Sequence, residues 1–228
     1  QIKNRFKEAA VNVDANVAER FLQTRDLSTI ASAVDPLSLV QKKGNATNVN
    51  VSHPALVPVL DYLKRHGEVD GKKMLEDFGR APFGWFKDTT RYLVAALLVS
   101  GRVRVRVASE WIKVAGDKAI DGLKNNTTFG KVDVSTNDEH ISQETLILAA
   151  KRMLEVTGKN ILPMPQNISR AVQEHFPHFQ REHASLAAEL TAAGLPGAER
   201  GGRLQKQLSQ SLQGDASEAP GMIGAEEC

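Results

Sequence analysis

Apolar residues recur every three or four positions along most of this chain, which is the spacing of one face of an α-helix. Near the start, Val13, Val17 and Phe21 follow this spacing between charged and polar residues. We therefore predict an N-terminal helical segment within residues 1–40. Residues 41–52 are polar and rich in turn-forming residues, and they are interpreted as a linker.

The next stretch, residues 53–114, changes pattern several times over a short distance. A short helix is predicted over 57–66, with Pro58 in its first turn, where the missing N–H of proline is tolerated. After a brief extended piece, Asp70 is a suitable N-cap for a second helix over 71–78.

A third helix is predicted over about 86–99 and ends at Gly101. Arginine and valine then alternate strictly from Arg102 to Val107, which is typical of a half-buried strand, and residues 111–114 can pair back with it. The order helix, strand, helix, helix, hairpin indicates a winged-helix-like module over residues 53–114.

Residues 115–213 are predicted to form a helical C-terminal subdomain. Ser142 is expected to cap one helix, and a later helix that begins near Gln166 is expected to break at Pro177. The Gly-, Ala-, Ser- and Glu-rich residues 214–228 are interpreted as a frayed tail. The fold class is therefore mainly α (α+β), with one small β-hairpin.

Composition and charge limit the function. Of 228 residues, 41% are hydrophobic but only 5% are aromatic, so the core must be mostly aliphatic. With 29 basic and 27 acidic residues the net charge is only +2, so any contact with nucleic acid must be local. No apolar run is long enough to span a bilayer, so no membrane partner is expected. The chain begins with Gln1 and shows no signal peptide, and we interpret it as part of a larger cytoplasmic protein.

The common catalytic and cofactor motifs are missing. There is no G-x-x-x-x-G-K-[ST], G-x-G-x-x-G, G-x-S-x-G or H-E-x-x-H sequence, so no catalytic residue and no cofactor is predicted. The single cysteine, Cys228, excludes a disulfide or a cysteine-based zinc site within one chain. His175, His178 and His183 lie close in sequence but diverge in direction, so no metal site is predicted. An enzyme whose site is assembled from scattered residues remains a minor alternative.

The arginine row is the strongest chemical feature. Alternation places Arg102, Arg104 and Arg106 on one face of the predicted strand, where they could grip phosphates as the wing of a winged helix does. Contact with an acidic protein and a merely solvated face are the alternatives.

The third helix argues against base-specific recognition of DNA. Residues 92–99 are almost entirely apolar, which is typical of a buried helix, whereas a recognition helix needs exposed polar side chains. Only residues at its start could face a groove. If the module binds DNA, the candidate contacts are Arg102, Arg104, Arg106, Lys113, Lys87 and Arg91.

An aromatic corner precedes the third helix, at Pro82, Phe83, Gly84 and Trp85. Proline and glycine suit a sharp change of direction, and the two aromatic rings supply apolar area to hold it. We predict a structural corner, and an exposed aromatic anchor for a partner is the alternative.

This corner also carries a resemblance. Residues 73–85 (KMLEDFGRAPFGW), followed by Asp88, Arg91 and an apolar run that ends in Ser100-Gly101, resemble a segment of the large P-loop ATPases of BREX phage-defence systems, called BrxC or PglY. The chain departs from the family's frequent double proline, because Ala81 precedes Pro82.

The resemblance implies a function for the chain as part of a larger protein. Family members carry Walker motifs in a region that has no counterpart here, so the ATP chemistry would belong to the parent and not to these residues. The resemblance implies a non-catalytic portion but does not assign its role. Because the third helix is apolar, we predict an interaction or assembly domain. Its expected partners are other BREX proteins or a second copy of itself, with the backbone of double-stranded DNA as the alternative.

Overall fold

The computed structural model describes residues 11–43, 46–138, 141–194 and 196–225. The chain divides into two compact units, residues 1–140 and residues 141–228. No helix in the described ranges is long and apolar enough to cross a membrane.

The first unit combines helices with small antiparallel sheets. Its helices are α1 (Val17–Gln23), α2 (Val57–His66), α3 (Gly71–Gly79), α4 (Lys87–Val99), α5 (Asp117–Leu123) and α6 (Asn126–Phe129). Its strands are β1 (Val40–Lys43), β2 (Ala46–Val49), β3 (Val69–Asp70), β4 (Val103–Val107), β5 (Glu110–Ile112) and β6 (Asp133–Thr136).

The run α2–β3–α3–α4–β4–β5 confirms the predicted winged-helix order. Pro58 lies in the first turn of α2, and the Asp70 carboxylate accepts a hydrogen bond from the backbone N–H of Lys73 at 2.8 Å, which caps α3. Strands β4 and β5 pair antiparallel, with Arg106 opposite Trp111. The hairpin that defines the wing is therefore present.

A strand that the sequence analysis missed lies in the middle of the larger sheet. The strand order is β3-β6-β4-β5, and Val134 of β6 pairs with Val69 on one side and with Val105 on the other. Residues 115–138 therefore belong to the first unit, and the predicted boundary after Val114 lies inside it. The four residues of β6 are mostly polar and too few to show alternation, so their pairing is determined by the two neighbouring strands.

Residues 41–52 are not a simple linker, because β1 and β2 pair antiparallel with Val40 opposite Val49. The stretch is mostly polar, but Val49 within it and Leu39 just before it are buried. Apolar contact with the core therefore holds a hairpin in which most of the residues are polar.

The N-terminal helix is shorter than predicted. Residues 11–16 are not helical, and residues 1–10 lie outside the described part of the chain. The backbone carbonyls of Val11 and Ala15 instead accept hydrogen bonds from the side chains of Thr89 and Arg91 on α4. These bonds hold the segment before α1 against the start of α4.

Helix α4 is the centre of the first unit. Every residue from Thr89 to Val99 is buried, and α1, α3, α6 and β4 pack around it. The ring of Phe21 on α1 meets the ring of Tyr92 edge-on, with centroids 5.5 Å apart. As the sequence pattern indicated, a helix that is apolar on all sides lies in the core.

The second unit is helical and has its own core. Its helices are α7 (Gln143–Thr157), α8 (Pro165–Ala192), α9 (Ala198–Ser211) and α10 (Ala219–Ile223). Leu146, Met153, Ile168 and Val172 are buried together with Leu208 of α9. The predicted cap is confirmed, because the hydroxyl of Ser142 accepts a hydrogen bond from the N–H of Thr145 at 3.1 Å.

Two predictions for the second unit are wrong. Helix α8 continues through Pro177, which lacks the N–H that would bond to the carbonyl of Gln173. Gln173 is exposed, so water can satisfy its carbonyl and the helix need not break.

The tail after Gly214 is also packed and not frayed. Ala216 and Ala219 are buried, and the carbonyl of Ala216 accepts a hydrogen bond from the hydroxyl of Ser169 at 2.8 Å. Arg152 of α7 donates to the carbonyl of Ile223 at 2.6 Å, which holds the end of α10. Small residues pack closely here, although their composition resembles that of a flexible tail.

Candidate functional site

The three arginines of the predicted row, Arg102, Arg104 and Arg106, have different surroundings in the structure. Val103 and Val105 point into the core, which leaves Arg104 and Arg106 on the opposite face of β4. Both guanidinium groups lie over the ring of Trp111 on β5, at 4.5 Å and 5.3 Å from its centroid. Cation–π contact of this kind stabilises the wing and directs both side chains along its surface.

Arg106 is engaged by two carboxylates. Its guanidinium donates to Asp133 at 2.8 Å and also contacts Glu68, because β6 places Asp133 directly opposite Arg106. The hydrogen bond that Arg106 donates to the carboxylate of Asp133 is the main reason that the pKa of Arg106 is raised. Neither carboxylate is predicted from the sequence, because β6 is too short to be recognised there as a strand. An incoming phosphate would have to compete with these two ion pairs.

Arg91 is not available to DNA, which corrects the prediction that placed it near a groove. Its side chain is only 1% exposed, and its guanidinium contacts the carboxylate of Asp88 at 2.7 Å and the carbonyl of Ala15. Burial lowers the pKa of Arg91, and the nearby Asp88 partly opposes this shift. Arg91 therefore ties the segment before α1 to α4.

The remaining predicted cations lie in three places. Lys87 is exposed at the first residue of α4, and Lys113 is half-buried just after β5. Arg102 precedes β4 and is partly exposed, and it takes part in no ion pair with any residue that the structure describes. The structure thus brings Arg104 and Arg106 together on Trp111 and leaves Arg102 apart from that contact.

The aromatic corner is packed inwards. Trp85 is 4% exposed and stacks on Phe78, with centroids 5.0 Å and planes 4° apart, and Phe83 contacts both rings. A cis peptide bond joins Ala81 to Pro82, and Gly84 has a φ of 65°, a value that favours glycine. The exposed aromatic residue is the next one, Phe86, at 50%. No pattern in the sequence distinguishes Phe86 from the buried aromatic residues of the corner that it adjoins.

A buried carboxylate also went unnoticed in the sequence. Asp35 is 6% exposed and accepts hydrogen bonds from the backbone N–H groups of Leu39 and Val40 at 2.8 and 2.9 Å, and from the hydroxyl of Tyr92. Burial, followed by the bond to Asp35, raises the pKa of Tyr92. These bonds fix the approach to β1, which makes the group structural.

Among the described residues, no three His, Cys, Asp or Glu side chains come together in an arrangement that could hold a metal ion.

Comparison with known proteins agrees with the fold. Residues 15–138, more than half of the chain, match the family described as the BREX ATP-binding protein BrxC winged helix-turn-helix domain. No curated protein and no solved structure matches the chain. The matched range begins just before α1 and ends just after β6, so it covers almost all of the first unit. The chain therefore belongs to the BrxC family of BREX ATP-binding proteins, and residues 15–138 are its winged helix-turn-helix domain.

Proposed function

We propose that this chain is a non-catalytic interaction and assembly domain of a BREX phage-defence ATPase. In this proposal the winged-helix unit binds another protein of the same BREX system, and the ATP chemistry belongs to a different part of the parent protein.

The burial of α4 carries this proposal. In a DNA-reading helix-turn-helix, the corresponding helix enters the major groove and exposes polar side chains to the bases. Here all residues from Thr89 to Val99 are buried, and α1 with the segment before it covers the start of the helix. A fold that uses this helix as its core supports contact through other surfaces.

An apolar surface at the start of α4 supports a protein partner. Phe86 is 50% exposed and directly precedes α4, and Val11 is 44% exposed. The backbone carbonyl of Val11 accepts a hydrogen bond from the hydroxyl of Thr89, one turn from Phe86, so both residues lie near the start of α4. A large exposed aromatic ring with an aliphatic neighbour is the composition of an interface anchor.

Co-purification tests the proposal. The tagged chain is expressed with each of the other proteins of its BREX system, in parallel with Phe86→Asp and with a control, Ile147→Asp, which replaces a side chain 53% exposed in the second unit. We expect at least one partner to be retained by the wild type and by the control and lost by Phe86→Asp. Failure of the wild type to retain any of these proteins would overturn the proposal.

Contact with the DNA backbone is the second candidate, and one observation favours it. Neither Lys87 nor Arg102 forms an ion pair with another residue that the structure describes. Phosphate contacts need such cations but no recognition helix, because they position a protein without reading bases.

A further inference from the structure

A cleft opens in the first unit beside the end of the larger sheet. Its volume is about 330 Å³, at the lower end of the range for ligand sites. Helix α2 packs against β6 and forms one wall of the cleft, and the residues at the ends of β4 and β6 form the other. The lining residues are Val51, Leu60, Lys64, Arg102, Thr136, Asn137 and Asp138.

The backbone at Arg102 is held in place by its neighbours. Its N–H donates to the carbonyl of Leu97 at 3.0 Å, and its carbonyl accepts from the N–H of Asn137 at 2.9 Å. The side-chain amide of Asn137, itself 9% exposed, donates to the carbonyl of Gly101 at 3.0 Å. Arg102 therefore lines the cleft from a fixed backbone position, so little backbone ordering is needed for a ligand to use it.

The two cations of the cleft form no ion pair with the carboxylates that the structure describes. Lys64 is exposed in the last turn of α2, which also carries Arg65 and His66. Neither Lys64 nor Arg102 takes part in an ion pair anywhere in the described ranges. Asp138 is the single carboxylate among the lining residues that the structure describes, so the side chains of those residues carry a net charge of +1.

The wing face has a different charge arrangement. Arg106 is bonded to Asp133 and Glu68, and the guanidinium of Arg104 lies over Trp111. A phosphate that approached the wing would be attracted less strongly to Arg106, because the two carboxylates already neutralise its charge. At the cleft, the same phosphate would meet two cations and the hydroxyl of Thr136, which can donate a hydrogen bond.

We propose that the cleft between α2 and the ends of β4 and β6 is a phosphate-binding site, with Lys64 and Arg102 as its cationic ligands, and that it holds the backbone of double-stranded DNA. The proposal rests on the second candidate function above and moves the principal contact away from the wing. Asp138 repels the ligand and weakens the site.

The test measures binding of a fluorescent duplex of about 15 base pairs to the full chain by anisotropy at low salt. The same chain is titrated in parallel with inorganic phosphate, followed by NMR. The variants are Lys64→Ala, Arg102→Gln and Asp138→Asn, with Arg203→Ala as the control, since Arg203 is 70% exposed in the second unit. Circular dichroism and thermal unfolding check that each variant is folded.

We expect Lys64→Ala and Arg102→Gln each to weaken duplex binding roughly three- to tenfold and to reduce the salt slope by about 1. Asp138→Asn is expected to strengthen binding, because it removes a negative charge from the lining of the cleft. Arg203→Ala is expected to leave binding unchanged. This set of opposite effects is specific to the cleft.

Three results would overturn the inference in distinguishable ways. If duplex binding is unchanged in both cation variants, the chain binds DNA but does not bind it through the cleft. Perturbation of the cleft residues by inorganic phosphate without duplex binding would show a small-anion site and reject DNA as the source of the phosphate. Absence of both would reject the site altogether. None of these results depends on the co-purification of partner proteins, so the two proposals fail separately.

Discussion

At the scale of single residues, the sequence patterns predicted the face on which a side chain lies more accurately than they predicted the residues that it contacts. The alternation from Arg102 to Val107 gave the correct faces of β4, because a strand with one buried face must alternate. It could not show that Arg106 meets Asp133, since that residue lies 27 positions away on a strand too short to recognise. Arg91 was misjudged for the same reason, because its partner at Ala15 is remote in sequence.

The buried bond between Tyr92 and Asp35 makes a direct prediction. Replacement of Tyr92 by phenylalanine keeps the ring in the core but removes one of the three donors to a carboxylate that is 6% exposed. We expect the free energy of unfolding to fall by about 1–3 kcal/mol, which is the cost of an unsatisfied buried acceptor. Urea denaturation measures this loss.

A matched control is Tyr62→Phe. The hydroxyl of Tyr62 donates to the carboxylate of Asp77 at 2.5 Å, but Asp77 is only partly buried and water can replace the lost donor. The loss there should be about 0.5–1.5 kcal/mol. An equal or larger loss for Tyr62→Phe would contradict the role assigned to burial.

His53 gives a pH dependence. Burial lowers the pKa of His53 below its ordinary value of 6.5, although the charge of Asp35 partly opposes this shift, and the ring Nδ1 accepts a hydrogen bond from the N–H of Ala55. The unfolded chain therefore binds a proton more readily than the folded chain. Stability should be level above about pH 7.5 and should fall as the pH drops through 6.5 and below.

The measurement compares urea unfolding at pH 7.5 and pH 5.5 for the wild type and for His53→Gln, which cannot titrate. Other groups contribute equally to both proteins, so the difference between their two pH slopes isolates His53. The wild type should lose more stability on acidification than the variant. Parallel slopes would show that the folded structure does not favour the neutral ring.

At the scale of elements, helices with strong caps and apolar stripes were predicted closely from the sequence. Helices α2, α3 and α4 begin and end within one or two residues of the expected positions, and α7 begins directly after its expected cap. Asp70 and Ser142 provide local signals for the starts of α3 and α7. The hairpin of β1 and β2, the strand β6 and the packed tail were not predicted. Their residues are polar or small, and contacts with distant parts of the chain determine their structure.

Pro177 shows how packing can override a local signal, and it leads to a prediction for α8. The proline lies inside a 28-residue helix and removes one backbone hydrogen bond. Pro177→Ala should restore that bond and raise the free energy of unfolding of the second unit by about 1–3 kcal/mol. Thermal unfolding followed by circular dichroism would detect the gain. A loss of stability would instead mean that the proline ring contributes packing that alanine cannot replace.

At the scale of the whole molecule, the small net charge limits the strength of any contact with DNA. The 29 basic residues are nearly balanced by 27 acidic ones, so the net charge adds little long-range attraction to DNA. Two phosphate contacts, by Lys64 and Arg102, predict that log K changes with log salt at a slope near −2, since each contact contributes about −0.9. A slope of −6 or steeper would require a much larger surface than the cleft provides.

The order of strands in the larger sheet also has a consequence for synthesis of the chain. Strand β6 is the last of the sheet to be made, yet it lies between β3 and β4, and β3 pairs with no other strand of that sheet. While residues 133–136 are still inside the ribosome, β3 has no partner and the inner edge of β4 is open. The sheet can therefore close only late, through contacts of long sequence separation that slow folding. A truncation after Val114 would leave this closure permanently incomplete, with an unpaired strand edge open to other chains.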